Sequence, residues 1–90
     1  MHDTRPTTPE GSLRVGLFAG MAEAVGRRTV TLAWSGGTAA ALRSRLAAEY
    51  PAVAALLSRS AVAVGAAYVA DDAAVPPGAD VAIIPPVSGG

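Results

Sequence analysis

The group best placed to do chemistry in this 90-residue chain is the free carboxylate of its last residue, Gly90. It ends the segment Pro85-Pro86-Val87-Ser88-Gly89-Gly90, which follows the apolar stretch 81–84. Proline fixes φ and lacks a backbone donor, so a strand over 81–84 must end there and the chain must continue extended. Because glycine has no side chain, Gly89 and Gly90 fit a channel that a Cβ would block. The sequence therefore predicts a thin, flexible tail that is inserted into another protein.

A carboxylate must be activated before it can transfer an acyl group. An α-carboxyl group in a peptide has a pKa of about 3.5, so near neutral pH it is an anion and a poor electrophile. Reaction with ATP to form an acyl-adenylate is the general solution, and a narrow tail suits delivery of Gly90 to an enzyme that makes one. The alternative is that the two glycines are only a mobile chain end without a chemical role.

The composition excludes several other classes of site. The chain has no cysteine and a single histidine, His2, which excludes a thiolate metal site, a disulfide framework and a Ser-His-Asp triad. Asp71 and Asp72 are adjacent but have no further ligand nearby, so we predict no metal site and no bound cofactor. The seven basic residues are scattered arginines that balance seven acidic residues, which argues against binding to nucleic acid.

The chain divides into three parts. Residues 1–12 contain prolines and threonines but few apolar residues, and we predict a disordered leader. This leader lacks the apolar region of a secretory signal, and the apolar runs elsewhere are too short to span a membrane. We therefore expect a cytoplasmic protein without membrane contact, in which 13–84 form one domain and 85–90 the tail.

Periodicity and breaker residues predict the elements of this domain. Alternating apolar residues indicate strands, Gly26 ends a short helix, and Thr38 and Pro51 bound the main helix. The predicted strands cover 13–19, 28–33, 61–64, 68–69 and 80–84; the predicted helices cover 21–25, 39–50 and a short turn at 53–57; and 71–78 is predicted to be a loop.

The order β-β-α-β-β-β differs from the alternation of a nucleotide-binding sheet. It predicts an α+β domain in which a mixed sheet of about five strands packs on one main helix. The predicted core consists of Val15, Leu17, Val30, Leu32, Leu42, Leu46, Val62, Val64, Val81 and Ile83.

The segment Val81-Ala82-Ile83-Ile84-Pro85-Pro86-Val87-Ser88-Gly89-Gly90 resembles the C-terminus of the small subunit of molybdopterin synthase, the MoaD type of ubiquitin-like sulfur carrier. Weaker similarity extends back to residue 13. The resemblance implies the β-grasp, ubiquitin-like fold, with the last strand beside the first at the centre of the sheet. One departure is Gly65, where the family usually has Asn; both residues tolerate positive φ, so we expect the turn to be kept.

The resemblance also implies a function. Gly90 would be adenylated by a ubiquitin-activating-like enzyme of the MoeB type, which consumes ATP, and would then take sulfur from a donor to become a thiocarboxylate. The chain would dock into the large synthase subunit, of the MoaE type, and donate its sulfur to cyclic pyranopterin monophosphate. The catalytic residues are expected in that subunit, so the chain alone is not an enzyme. The residues that would thread the channel are Pro85, Pro86, Val87, Ser88 and Gly89.

A partner surface is predicted beside the tail. If Val81 and Ile83 face the helix, the two-residue period of a strand places Ala82 and Ile84 on the opposite face. If the first and last strands also pair, Phe18 lies on that face. We therefore predict that Phe18, Ala82 and Ile84 contact the partner.

Two alternatives remain open. The first is a related sulfur carrier for thiazole or cysteine synthesis, or a ubiquitin-like protein modifier, because such proteins also end in Gly-Gly. The second is a ubiquitin-like binding module whose tail has no chemical role.

Overall fold

The computed structural model describes residues 11–86. Its strands are β1 (Ser12–Leu17), β2 (Thr29–Ala33), β3 (Gly37–Thr38), β4 (Ala61–Val64), β5 (Ala67–Val69), β6 (Ala74–Val75) and β7 (Asp80–Ile84). Its helices are α1 (Ala19–Val25), α2 (Ala39–Glu49) and α3 (Ala54–Leu57), and a 3-10 turn at Pro51–Val53 joins the last two. None of these helices is long and apolar enough to cross a membrane.

Five strands form one mixed sheet in the order β2-β1-β7-β4-β5. The last strand, β7, is therefore central: it runs parallel to β1, with Val15 opposite Val81, and antiparallel to β4, with Val62 opposite Ile83. The main helix α2 covers one face of this sheet. The predicted α+β fold is confirmed, and it is the β-grasp arrangement that the resemblance implied.

The core lies between α2 and the covered face of the sheet. Of the predicted core residues only Val64 is half-buried, packed against the core; the others are at most 5% exposed. Burial follows the two-residue period in β1, β2 and β7 because each strand turns alternate side chains towards α2. The structure adds further buried residues to the predicted core: Leu13, Met21, Trp34, Ala39, Val53, Leu57 and Val75.

The segment 71–78, predicted to be a loop, contains β6. Ala74 pairs with Thr38 and Val75 with Gly37 in a second, two-stranded sheet. Val75 is fully buried, and its carbonyl accepts a 2.8 Å hydrogen bond from Nε1 of Trp34. The prediction was wrong here because two residues are too few to show a period, and their pairing partner lies far away in the sequence.

Several predicted ends are confirmed. Gly26 has φ of +85° and donates its N–H to the Ala22 carbonyl, so it is the left-handed cap of α1. The Thr38 hydroxyl accepts from the Ala41 N–H at 3.1 Å and caps α2. Gly65 has φ of +63°, as expected for a turn residue that replaces Asn.

The start of the domain requires a correction. Ser12, which we assigned to the leader, is the first residue of β1, and the Gly11 carbonyl accepts a 2.7 Å hydrogen bond from the Trp34 N–H. Pairing with β2 therefore begins before the first apolar residue of the strand. Residues 1–10 of the predicted leader lie outside the described residues.

Candidate functional site

The tail begins at the end of β7, the central strand of the sheet. Ile84 is the last residue of β7 and pairs with Ala61 of β4. Pro85 and Pro86 follow outside any strand, as expected because neither has a backbone N–H to continue a ladder. Val87, Ser88, Gly89 and Gly90 lie outside the described residues, so their roles stay predictions. The predicted chemistry therefore belongs to a segment that begins at the middle of the sheet, flanked by β1 and β4.

The sheet face turned away from α2 carries a strip of small residues. Gly16 of β1 lies opposite Ala82 of β7, and Ala82 lies opposite Ala63 of β4. We call these three residues the small-residue strip. Side chains this short leave this face low between its neighbours: Gly16 and Ala82 are half-buried, and Ala63 is 7% exposed.

Aromatic side chains stand at both ends of the small-residue strip. Phe18 is 52% exposed, and its Cε1 lies 3.6 Å from the position that a Cβ on Gly16 would occupy. At the other end Tyr68 of β5, 70% exposed, pairs with Ala63. These are the exposed large hydrophobic residues within 11–86. The strip is thus a shallow apolar trough with an aromatic wall on each side.

The local backbone explains the position of Phe18. The predicted strand over 13–19 ends at Leu17 instead, and Phe18 caps α1 in an extended conformation. Ala19, which we placed in the strand, opens α1 with φ of +51°, a left-handed conformation that turns the chain sharply. The last pair of the β1–β7 register is Leu17 opposite Ile83, and Phe18 and Ile84 are the residues that follow this pair. The structure therefore brings the three predicted partner residues to one face; their contact with a partner stays a prediction.

Tyr68 is a candidate that the sequence analysis missed. The segment was predicted as a brief return strand, but its face was not assigned. The two-residue turn Gly65-Ala66 places Val64 opposite Ala67, and hence Ala63 opposite Tyr68. Pairing the residues on either side of that turn, starting from Val64 and Ala67, would have placed Tyr68 on the face shared with Ala82.

The rest of the described surface offers little for catalysis. An open depression of about 420 Å³ is lined by Gly11, Ala33, Trp34, Ser35, Gly36 and Arg45. Its one charged group, Arg45, already donates to the Ala33 carbonyl and pairs with Glu49. Within 11–86 no three His, Cys, Asp or Glu side chains come together as metal ligands. What the described residues provide is an exposed face with two aromatic side chains beside the tail root.

Comparisons with solved structures give close matches in fold. SAMP1 from Haloferax volcanii superposes with a TM-score of 0.75 at 29% identity, covering 89% of this chain and 100% of that one. The small archaeal modifier protein 1 from Methanosarcina acetivorans has a TM-score of 0.74 at 19% identity, covering 89% and 97%. The Haloferax volcanii HVO 2177 protein has a TM-score of 0.71 at 24% identity, covering 100% and 98%. The latter two establish the fold alone.

No curated protein matches the chain significantly. The sequence model of the ThiS family, in contrast, matches residues 15–90, which includes the whole sheet from Val15 onward and the Gly-Gly end. A match of this length covers most of the chain. The chain therefore belongs to the ThiS family, the ubiquitin-like sulfur carriers to which the MoaD type also belongs.

Proposed function

We propose that this chain is the sulfur-donating small subunit of a molybdopterin synthase. The observation that carries the proposal is the position of the tail root. The Pro-Pro-Val-Ser-Gly-Gly segment continues from the central strand β7, next to a face with an apolar trough. A partner that covers this face is then in place to receive the tail, so docking and insertion occur together.

In the proposed chemistry Gly90 carries the reacting carbon. A carboxylate oxygen attacks the α-phosphorus of ATP and releases pyrophosphate, giving an acyl-adenylate on an activating enzyme of the MoeB type. Hydrogen sulfide supplied by the donor then attacks the acyl carbon, displaces AMP and, on losing its proton, leaves a thiocarboxylate. In the large subunit, of the MoaE type, the thiocarboxylate sulfur attacks a carbon of cyclic pyranopterin monophosphate and displaces an oxygen substituent there, which joins the two molecules through a thioester. Water hydrolyses this thioester, so that the sulfur stays on the pterin and Gly90 returns to the carboxylate. The catalytic groups for these steps belong to the partners, and the chain itself acts as the carrier.

A second candidate, a protein modifier, is favoured by the likeness to SAMP1 and to a structure named as small archaeal modifier protein 1, both from Haloferax volcanii. The same acyl-adenylate would serve, but the acceptor would be an amine of another protein, and the product an amide bond to Gly90. Both candidates need a free Gly-Gly end and an activating enzyme. They differ in whether sulfur or the whole chain is transferred.

Intact-mass measurement tests the proposal. The chain is incubated with the activating enzyme of the same organism, ATP and a sulfur donor. We expect the mass to rise by one exchange of oxygen for sulfur, localised to the C-terminal peptide. Adding the large subunit and cyclic pyranopterin monophosphate should then yield molybdopterin and restore the original mass. Amide-linked conjugates without a thiocarboxylate would instead support the modifier, and no change with any activating enzyme of that organism would refute both.

A thiocarboxylate that forms but does not react with the pterin would refute the molybdopterin assignment alone. The carrier would then serve thiazole or cysteine synthesis. To distinguish thiazole synthesis from cysteine synthesis, the mass assay is repeated with the sulfur-accepting enzyme of each pathway in place of the large subunit.

A further inference from the structure

The five-stranded sheet has two edges that differ in their openness. β5 forms one edge and has three residues, while β2 forms the other and has five. The β1–β2 register runs without a bulge from Gly16 opposite Thr29 to Ser12 opposite Ala33. Natural sheets protect their edges with short strands, prolines, bulges or inward-pointing charges. β5 is protected because it is short, but β2 has none of these features.

The backbone groups that point outward from β2 can be identified. Leu17 donates its N–H to the Arg28 carbonyl at 2.8 Å, and Trp34 donates to the Gly11 carbonyl at 2.7 Å. Antiparallel strands alternate between residues that bond to the neighbour and residues that face away. Thr29, Thr31 and Ala33 therefore present their N–H and C=O groups to the open side.

Part of this open edge is already occupied at one end. Nη1 of Arg45 donates to the Ala33 carbonyl at 2.9 Å, and Nε of the same side chain pairs with Glu49 at 3.3 Å. The open groups are then the N–H and C=O of Thr29 and of Thr31, and the N–H of Ala33. No other residue of the described chain pairs with them. A short added strand would find donors and acceptors in the correct alternation.

The charges around β2 favour one kind of occupant. Arg27 and Arg28 precede β2, are exposed, and have no carboxylate within ion-pair distance among residues 11–86. A second copy that paired antiparallel through its own β2 would bring the Arg28 end of each copy to the Arg45 end of the other. There Arg28 would meet an arginine whose neighbouring carboxylate, that of Glu49, is already paired with it. A segment with acidic residues near Arg27 and Arg28 has the opposite, favourable interaction.

We propose that the free edge of β2 binds an extended, acidic segment of a partner protein as an additional strand. The backbone of Thr29 and Thr31 supplies the ladder, and Arg27 and Arg28 select for carboxylates at one end. This surface differs from the small-residue strip, because it uses the edge of the sheet rather than its face. The proposal does not depend on the chemistry of Gly90 and goes beyond sulfur transfer.

The test uses the alternation of β2. In Thr31→Pro the lost N–H is one that faces away from β1, so the β1–β2 ladder is kept while the added strand loses a bond and meets the proline ring. Thr31→Val retains the N–H and is the matched control. The probe is an acetylated and amidated hexapeptide of two Val-Thr repeats followed by two aspartates, together with its reversed sequence, titrated into the nitrogen-15-labelled full chain.

We expect the amide signals of Thr29, Thr31 and Ala33 to shift and their hydrogen exchange to slow. Thr31→Pro should weaken binding about tenfold or more, while Thr31→Val should bind like the wild type. The double variant Arg27→Glu, Arg28→Glu should bind the acidic peptide more weakly. It should bind more tightly a peptide in which lysines replace the two aspartates.

Three outcomes would overturn the proposal. The first is that Thr31→Pro keeps its melting temperature and binds the peptide as tightly as the wild type. The second is that the peptide shifts only the amide signals of Ala63, Ala82 and Tyr68. Concentration-dependent shifts of β2 without peptide would assign the edge to a second copy of the chain instead. Should Thr31→Pro fail to fold, hydrogen exchange at the Thr29 and Thr31 amides of the wild type decides: unchanged exchange on adding peptide refutes the added strand.

Discussion

The phenyl ring of Phe18 lies over Gly16, the preceding outward position of β1, with Cε1 3.6 Å from where a glycine Cβ would be. This contact covers part of the ring and leaves 52% of the residue exposed. A Cβ at position 16 would be in ordinary van der Waals contact with the ring, so the ring lies against the outward surface of β1. Phe18 is held as a wall of the small-residue strip instead of extending freely into solvent.

Replacing Phe18 by aspartate should weaken binding to the large synthase subunit by more than about tenfold, because exposed aromatic residues at interfaces often contribute most of the binding energy. The fold should be kept, since Phe18 does not belong to the buried core. Titration calorimetry measures the loss. Ala66→Asp, at an exposed turn position at the other end of the sheet, adds the same charge and should bind normally. If both variants bind alike, the strip is not the docking surface.

Replacing Gly37 by alanine should destabilise the domain. The new Cβ would lie 3.1 Å from Cζ2 of Trp34, a ring that is 7% exposed and tied to the Val75 carbonyl. Overpacking of this kind costs about 1–3 kcal/mol. Gly20→Ala is the control, because nothing lies within 4 Å of its Cβ and alanine suits α1. Urea denaturation followed by Trp34 fluorescence compares them, and equal stabilities would contradict the expected clash.

Truncating Leu46 to alanine should cost about 2–5 kcal/mol of the free energy of unfolding, as expected for a buried leucine. Leu46 is 1% exposed and lies on the face of α2 that packs against the sheet. A loss of this size is a large share of the stability of a small domain. Leu56→Ala, at a half-buried position, should have a smaller effect in the same denaturation experiment. An unchanged melting temperature for Leu46→Ala would show that the core assignment is wrong.

Deleting Gly90 should abolish formation of the thiocarboxylate without changing the melting temperature, because it moves the carboxyl group back to Gly89 and shortens the reach of the tail. Adding one residue after Gly90 should be equally damaging, since the carboxyl carbon is then displaced from the ATP site. Intact-mass measurement with the activating enzyme reads out both variants. Sulfur incorporation into the shortened chain at the wild-type rate would refute Gly90 as the acceptor.

Much of the architecture follows from local patterns in the sequence. Two-residue alternation identified the buried positions of β1, β2 and β7, and Gly26 and Thr38 marked helix ends, because these signals depend only on near neighbours along the chain. The predicted chemistry of the tail rests on equally local signals: two prolines end the strand, and two glycines without side chains precede the chain's terminal carboxylate. The central position of β7 was expected from family resemblance alone, since no periodic pattern specifies which strands become neighbours.

Other features depend on segments that meet only in the folded chain. Val75 is buried in the core, and its carbonyl accepts from Trp34, 41 residues away; nothing near Val75 in the sequence indicates either contact. Phe18 and Tyr68 face the same trough because β7 and β4 lie between their strands in one sheet. The outward backbone of Thr29 and Thr31 likewise follows from the register with β1. Turn and cap residues act within a few positions, but strand order and register are set by burial of the whole core, which only the tertiary structure decides.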